Sequence, residues 1–203
     1  MKNVKPPLLI RLLYPKAIWR MPGSEKKLYL TFDDGPTPEI TPLILALLEQ
    51  YECKATFFCV GSNVEKYPEV YQNILSDGHS VGNHTHTHLN GRKTGKIDYL
   101  NDIIIAQDIV ESSLFRPPYG KMKRSQYRAL KTDFKIIMWD VLSMDYHAKN
   151  SREKCLQNVV KHAEAGSIIV FHDSEKAKDN LLYALPKTIE HFQNQGYRFL
   201  ALE

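Results

Sequence analysis

The sequence predicts an α/β fold, a distorted and incomplete (β/α) barrel of about seven parallel strands. Segments with strand character alternate with segments of helical periodicity along the chain, which is the pattern of a parallel sheet with helical crossovers. The run 55–60 is almost continuously apolar, as expected for a strand covered on both faces. A complete eight-unit barrel typically needs about 250 residues, whereas this chain has 203. A doubly wound open sheet is the alternative, although the sequence contains neither a GxGxxG nor a Walker A motif.

The elements are predicted from apolar runs and from capping residues. Thr37-Pro38-Glu39 has the composition of a helix start, and Ser151 is a candidate cap for a later helix. Asp77-Gly78 and Gly166 are typical of helix ends. The predicted strands are 28–32, 55–60, 79–82, 114–116, 135–139, 167–171 and 197–200. The predicted helices are one that starts at residues 37–39 and those over 64–76, 98–112, 125–132, 151–164 and 182–195.

Residues 24–203 are predicted to form one domain, preceded by a lead-in segment over residues 1–23. The run Leu8-Leu9-Ile10 follows two lysines, as in a signal peptide, but Arg11 interrupts it and no small-residue cleavage site follows. No run reaches the roughly 18 apolar residues that span a bilayer, so stable membrane insertion is not expected. We expect the segment to pack on the domain rather than to touch a membrane surface.

Charge and cysteine content narrow the partners and the compartment. The chain has 27 basic and 23 acidic residues and a net charge of +4. Its basic clusters, 92–93 and 121–124, indicate only a weak attraction to anionic polymers, so no nucleic-acid partner is expected. Cys53, Cys59 and Cys155 are too few for a disulfide scaffold and are predicted to be buried thiols. Together with the lack of a readable cleavage site, this predicts a cytoplasmic protein, with a peripheral membrane or exported protein as the alternatives. A monomer is also expected.

Polar side chains of catalytic type follow the ends of the predicted strands. In a parallel barrel the strand ends of one polarity share one face, where active sites lie, so these side chains are expected to converge. They are Asp33 and Asp34 after the first strand, His84, His86 and His88 after the third, Arg116 after the fourth, Asp140 and Asp145 after the fifth, and His172 and Asp173 after the sixth.

The histidine cluster predicts a metal site. A single histidine is more often a surface or hydrogen-bonded residue, but here three stand within the five residues His84–His88. Two histidines and a carboxylate with an open fourth position form the layout of a catalytic zinc site. Because an HExxH motif is absent, the carboxylate has to come from elsewhere, and Asp33 and Asp34 are the candidates. One divalent metal ion is therefore expected, with zinc as the first choice.

Five motifs, taken in order and spacing, resemble those of the NodB-like polysaccharide deacetylases (carbohydrate esterase family four). They are Thr31–Gly35, His84–His88, Arg116-Pro117-Pro118-Tyr119-Gly120, Asp145-Tyr146 and Val170-Phe171-His172-Asp173. The resemblance extends from about Lys27 to the C-terminus. It implies a distorted barrel that hydrolyses N- or O-acetyl groups on sugars with the help of a metal ion, N-acetyl being favoured, and a NodB homology domain over residues 24–203.

The resemblance also implies a role for each matched residue. The metal ligands would be Asp34, His84 and His88. The catalytic set would be Asp33 as the general base that activates the attacking water, Arg116 as its positioning cation, His172 as the general acid and Asp145 as the partner that orients it. The backbone N–H of Tyr119 would stabilise the oxyanion. Substrate contacts are expected from Pro118, Tyr119, Tyr146 and Val170, the last of which would line an acetyl pocket.

The fourth motif departs from the family pattern Asp-x-x-Asp-Trp, because Leu142 and Tyr146 occupy its first and last positions. These departures affect substrate preference more than catalysis. Hydrolysis of a non-sugar amide on the same fold and a catalytically silent sugar-binding protein are the two alternatives. Within the second motif, His86 is expected to support the ligand residues or to line the pocket rather than to be a third histidine ligand. Outside the motifs, His79 is expected to lie on the surface and Trp139 to belong to the core. Structural roles are expected for Asp173 and for Asp140, which in a second interpretation supports the metal ligands.

Overall fold

The computed structural model describes residues 4–203. Its strands are β1 Lys27–Asp33, β2 Ala55–Cys59, β3 Ser80–Asn83, β4 Leu114–Phe115, β5 Lys135–Ile136, β6 Val141–Leu142, β7 Ile168–His172 and β8 Arg198–Phe199. Its α-helices are α1 Leu8–Leu13, α2 Thr41–Gln50, α3 Gly61–Lys66, α4 Pro68–Ser76, α5 Lys96–Val110, α6 Arg124–Leu130, α7 Arg152–Val160 and α8 Lys178–Gln193, with a 3₁₀ turn at Pro118–Gly120.

The strands form one curled parallel sheet in the order β5-β4-β3-β2-β1-β7-β6. The short strand β8 pairs with the first residues of β1, also in parallel. The sheet curls into a half-barrel whose edge strands β5 and β6 do not pair with each other. The predicted fold class, a distorted and incomplete barrel of about seven parallel strands, is confirmed.

Alternation along β1 separates the two faces of the sheet. Leu28, Leu30 and Phe32 belong to the apolar layer that packs against the helices, and Phe32 stacks on Phe57 at 4.9 Å between ring centroids. Thr31 and Asp33 point the other way, into the barrel, because successive side chains of a strand alternate. The strand thereby delivers a carboxylate to the interior of the barrel at its carboxyl end.

Several predicted elements have different bounds in the structure. The helix predicted over 64–76 is two helices that meet at Tyr67-Pro68, because proline disfavours helical backbone in the preceding residue. The first long helix begins at Thr41 rather than at residues 37–39. The strand predicted over 135–139 keeps only two residues, and β6 was not predicted. His79, expected on the surface, is buried and accepts a hydrogen bond from the backbone N–H of Ala55 through Nδ1.

The segment before β1 lies along the open side of the barrel. Ile18 forms a parallel bridge with Ile137, and Arg20 forms an antiparallel bridge with Ser167. Residues 1–3 of the predicted lead-in lie outside the described residues. None of the helices in the described part of the chain is long and apolar enough to cross a membrane.

Asp140 anchors α1, which belongs to this segment, to the barrel and does not support the metal ligands. Its buried carboxylate accepts hydrogen bonds from Arg11 Nη2 at 2.8 Å and from Ser167 Oγ at 2.7 Å. Burial favours a higher pKa for Asp140, but the hydrogen bonds from Ser167 and Arg11 outweigh it and the pKa is lowered. Of its two expected roles, the structural one is therefore found.

Candidate active site

The parallel register brings the strand-end residues together. Asp33 on β1 is paired with His172 on β7, and Asn83 on β3 is paired with Phe115 on β4. His84 and Arg116 therefore follow neighbouring strands at the same level. The side chains surround a cavity of about 530 Å³, which is lined by Asp33, Asp34, His84, His88, His172 and thirteen neighbouring residues.

Three side chains in this cavity form a candidate metal site. One ligand atom from each of Asp34, His84 and His88 lies within 4.8 Å of the other two. Asp34 Oδ1 is 3.8 Å from His84 Nε2 and 3.1 Å from His88 Nε2. Ligand atoms at the usual zinc distances of about 2.0–2.2 Å in a tetrahedron are roughly 3.3 Å apart, so a small shift of His84 would let all three bind one ion. These are the three ligands expected from the sequence.

The protonation states of His84 and Asp34 also suit a cation. His84 Nδ1 is 2.7 Å from the carbonyl oxygen of Arg116, which fixes the proton on Nδ1 and turns the lone pair of Nε2 towards Asp34. Burial lowers the pKa of His84 to about 4, so the ring is neutral at pH 7. Burial favours a higher pKa for Asp34, but the hydrogen bond from His88 and the charge of His172 reverse this, and the carboxyl pKa lies well below its usual range.

Asp33 is held by a fully buried arginine. Arg116 Nη1 donates to Asp33 Oδ1 at 2.5 Å and to Thr31 Oγ1 at 2.8 Å. Its other nitrogens donate to the carbonyl oxygens of Ile137 and Met138, and its guanidinium lies 4.0 Å from the ring centroid of Phe58. Burial lowers the pKa of Arg116, while the charge of Asp33 opposes that shift. Because all three guanidinium nitrogens of Arg116 are hydrogen-bonded, the guanidinium cannot turn freely, and it holds the Asp33 carboxylate in one position.

His172 is held by Asp145 on the other side of the cavity. Asp145 Oδ1 lies 2.8 Å from His172 Nδ1, and its Oδ2 accepts the backbone N–H of His172 at 2.8 Å. Burial favours a lower pKa for His172, but the charge of Asp145 and its hydrogen bond outweigh this and raise the pKa to about 9. The ring is therefore cationic at pH 7, and Nε2 is left to face the cavity.

The walls of the cavity are aromatic and apolar. Leu142 and Val170 are paired neighbours on β6 and β7 and line the cavity together with Trp139. Tyr119 is 53% exposed at the mouth and its ring lies 4.8 Å from that of His88. Tyr146 also lines the cavity and packs edge-on against His172. Pro118 is buried and does not line the cavity, so its expected substrate contact is not found. His86 does not line the cavity either, which leaves the other role expected of it, support of the neighbouring ligand histidines.

Comparison with known proteins identifies the family. A family model described as polysaccharide deacetylase matches residues 20–136. A peptidoglycan-N-acetylglucosamine deacetylase of Bacillus cereus is 33% identical over 196 residues, which are 91% of this chain and 90% of that protein. The chain belongs to the polysaccharide deacetylase family.

Two further comparisons, one with a solved structure and one with a sequence, extend over most of the chain. The crystal structure of the Bc1960 peptidoglycan N-acetylglucosamine deacetylase superposes with a TM-score of 0.88 at 34% identity and covers 97% of this chain and 95% of that one. A chitooligosaccharide deacetylase of Azorhizobium caulinodans is 32% identical over 164 residues, 76% of this chain and 77% of that protein. The family, the fold and the enzyme class expected from the sequence motifs are confirmed.

The loop from His84 to His88 is held in place by Asp102, a residue that was not predicted from the sequence. Asp102 on α5 accepts hydrogen bonds from the backbone N–H groups of His86 at 2.9 Å and Thr87 at 3.0 Å, and from Thr87 Oγ1 at 2.8 Å. The signal was present in the sequence, because Asp102 shares the buried helical face of Tyr99, Ile103 and Ala106. A carboxylate on such a face needs donors, and here the donors belong to the loop between His84 and His88.

Thr41 is a second residue that was not predicted from the sequence, and with Asp173 it holds the turn Asp33-Asp34-Gly35 in place. Asp173 accepts the backbone N–H of Gly35 at 2.8 Å and the hydroxyl of Thr41 at 2.7 Å. A Cβ on Gly35 would lie 1.8 Å from Asp173 Oδ2, so only glycine fits beside Asp34. Burial is the main reason that the pKa of Asp173 is raised to about 7. Asp173 has the structural role expected of it.

Proposed function

We propose that the protein removes the N-acetyl group from N-acetylglucosamine residues of a peptidoglycan-type glycan, with one zinc ion held by Asp34, His84 and His88. The observation that carries the proposal is one cavity that holds three metal-ligand atoms together with a fixed carboxylate, Asp33, and a cationic imidazole, His172. The relatives named for peptidoglycan and chitooligosaccharide deacetylation support an N-acetylated sugar as the substrate.

The donor set fits zinc. Two imidazole nitrogens and one carboxylate oxygen form a borderline-soft site that leaves a fourth position open, which is the layout of catalytic zinc. When bound there, the ion would polarise the acetyl carbonyl and increase the acidity of the attacking water. Among the chain's own residues, the proton fixed on His84 Nδ1 keeps Nε2 free for the ion.

Asp33 is proposed as the general base. Its carboxylate is almost fully buried and lines the cavity, and Arg116 occupies one of its oxygens. The second oxygen can accept the proton of a water molecule that attacks the acetyl carbonyl carbon. Arg116 does not touch the reacting atoms in this scheme and acts as a positioning residue.

His172 is proposed as the general acid. Collapse of the tetrahedral intermediate breaks the C–N bond, and the sugar nitrogen then needs a proton because an amide anion is a poor leaving group. The imidazolium of His172 donates that proton from Nε2, and Asp145 keeps the ring oriented and protonated through Nδ1. The products are acetate and the free sugar amine.

The acetyl group is proposed to enter the apolar part of the cavity formed by Val170, Leu142 and Trp139. The backbone N–H of Tyr119 is proposed as the oxyanion donor, and Tyr146 as a wall for the sugar ring. A substrate contact for Pro118 is not part of the proposal, because that side chain is buried and does not line the cavity.

Acetate release from N-acetylglucosamine oligomers and peptidoglycan fragments tests the proposal. We expect activity with zinc, its loss after dialysis against a chelator, and its recovery on re-addition of zinc. Asp33→Asn is expected to abolish turnover while glycan binding is kept. A zinc-loaded wild-type protein that binds these glycans and releases no acetate would instead be a silent sugar-binding protein, and release of acyl groups from non-sugar amides alone would identify an amidase.

Two properties outside the site are part of the same proposal. We propose a monomer, which light scattering on the purified protein would test. We also propose a cytoplasmic location, supported by three buried free thiols at Cys53, Cys59 and Cys155. Cell fractionation would test the location.

A further inference from the structure

We propose that a basic surface beside the mouth of the cavity binds carboxylates carried by the sugar next to the one being deacetylated, so that the preferred substrate is an anionic glycan rather than neutral chitin. This inference rests on the proposed function. The basic surface consists of Arg92, Lys93, Lys96, Lys121, Lys123 and Arg124.

The fold joins two basic clusters that are about 30 residues apart in the chain. Lys123 Nζ donates to the carbonyl oxygen of Thr94 at 2.8 Å, and Gln126 Nε2 donates to that of Gly91 at 3.0 Å. The backbones are close as well, because a Cβ on Gly91 would lie 2.8 Å from the carbonyl oxygen of Lys121. The segments 91–98 and 119–128 therefore form one surface.

This surface is strongly cationic and its charges are not paired. The segments 91–98 and 119–128 contain seven basic residues and one acidic residue, Asp98. Within residues 4–203, none of the six side chains of the basic surface forms an ion pair. Five of them are exposed, and Lys121 is half-buried. A cluster of unpaired like charges raises the local potential and favours an anionic partner.

The basic surface is continuous with the substrate cavity. Lys121 belongs to both, and it follows Tyr119 and Gly120, which also line the cavity. Lys176 places another exposed cation among the cavity-lining residues. A glycan with its reacting sugar above Asp34 and His88 would continue over this rim. In peptidoglycan the neighbouring sugar carries a lactyl carboxylate or a peptide with further carboxylates, whereas a chitin oligomer carries no charge there.

Two matched substrates isolate this charge effect. One is a peptidoglycan oligomer with free carboxylates, and the other is the same oligomer with its carboxylates amidated. For the wild-type enzyme at low salt we expect kcat/KM to be about tenfold higher on the anionic oligomer, and 0.5 M NaCl to remove most of this preference by screening. The patch variant Arg92→Glu/Lys93→Glu/Lys96→Glu is expected to abolish the preference.

A control variant with the same change in charge is Lys149→Glu/Lys154→Glu/Lys161→Glu, whose positions are exposed and lie outside both the basic surface and the cavity lining. It is expected to keep the wild-type ratio between the two substrates. Equal ratios in the patch variant and the wild type, or an equal loss of preference in the control variant, would overturn the inference.

The inference can fail separately from the proposed function. If neither oligomer releases acetate, the proposed function is wrong, and the basic surface is then judged by calorimetric affinity for the same two oligomers. Tighter binding of the anionic oligomer that the patch variant loses would support the surface as an anionic-glycan site. Equal affinities for both oligomers would refute it.

Discussion

Replacement of Asp102 by asparagine tests how the metal ligands are positioned. Asp102 touches no proposed ligand side chain, yet its carboxylate accepts three hydrogen bonds from His86 and Thr87, between the two ligand histidines. Asparagine has the same shape but can satisfy these donors with only one oxygen. The variant thus loses one or two of these hydrogen bonds, whose donors are only partly buried, at a cost of about 0.5–1.5 kcal/mol each.

Part of the free energy lost in Asp102→Asn is expected to appear as weaker binding of the metal ion. The loop carries backbone strain, since Thr85 and His88 have positive φ values of 64° and 56°. With Asp102 neutralised, the loop can relax and move His88 away from Asp34. Substitution of groups that orient metal ligands typically lowers metal affinity about 10–100-fold. We therefore expect the zinc Kd of Asp102→Asn to rise by that factor, while kcat at saturating zinc stays within a few-fold of wild type.

Competition with a chromophoric chelator measures the zinc Kd, and acetate release against zinc concentration measures kcat. Asp108→Asn is the matched control, because Asp108 is exposed on the same helix, α5. The reasoning is refuted if Asp102→Asn binds zinc as tightly as Asp108→Asn does. It is also refuted if excess zinc leaves kcat low in an Asp102→Asn protein whose Tm is unchanged, because the residue would then act on catalysis and not on the metal.

The structure also predicts the outcome of three further substitutions and of one control. Asp145→Asn removes the charge that raises the pKa of His172. The alkaline limb of the kcat/KM profile, where the general acid loses its proton, should therefore move from near pH 9 to lower pH. A metal cation beside Asp34 would lower this pKa in the wild type and in the variant alike, so the direction of the difference between them stays the same. Gly35→Ala places a Cβ against Asp173, and urea unfolding should show a loss of about 1–3 kcal/mol. Arg11→Met leaves the buried Asp140 with fewer donors and should lower the free energy of unfolding by about 1–3 kcal/mol; Arg20→Met, which breaks a surface pair with Glu164, should cost less than 1 kcal/mol.

Each of these expectations has an outcome that would contradict it. An alkaline limb that stays in place in Asp145→Asn would mean that another group donates the proton. A free energy of unfolding of Gly35→Ala within about 0.5 kcal/mol of wild type would show that Asp173 can move aside. Equal losses of stability in Arg11→Met and Arg20→Met would show that the buried ion pair at Asp140 stabilises the fold no more than the surface pair does.

The candidate catalytic side chains were predictable because their signals are local. Predicted strands end at or shortly before Asp33, His84 and His172, and parallel strands must present these ends on one face. The candidate ligands Asp34, His84 and His88 follow from the same reasoning once the motifs are recognised. The pairing of His172 with Asp145 was also expected, although the two residues are 27 positions apart and no periodic signal in the sequence joins them.

The features that escaped prediction depend on long-range contacts. Ile18 pairs with Ile137, and Arg11 reaches Asp140 across 129 residues, so neither relationship leaves a pattern in the chain nearby. The strand β6 has only two residues, which is too short for an alternation to be visible. The break at Tyr67-Pro68 is different, because the proline was visible and should have divided the predicted helix.

The lead-in segment and the unusual fourth motif belong to one structural unit. The backbone N–H of Leu142, which replaces the usual aspartate, donates to the carbonyl oxygen of Val4 at 2.9 Å. Two residues earlier, Asp140 binds Arg11 on the same segment. β6 is an edge strand of the sheet, so the lead-in satisfies a donor that the sheet does not. The wall that Leu142 gives to the cavity is therefore held from outside the barrel by residues 4–13, and changes in this segment are expected to alter substrate preference before they alter the metal site.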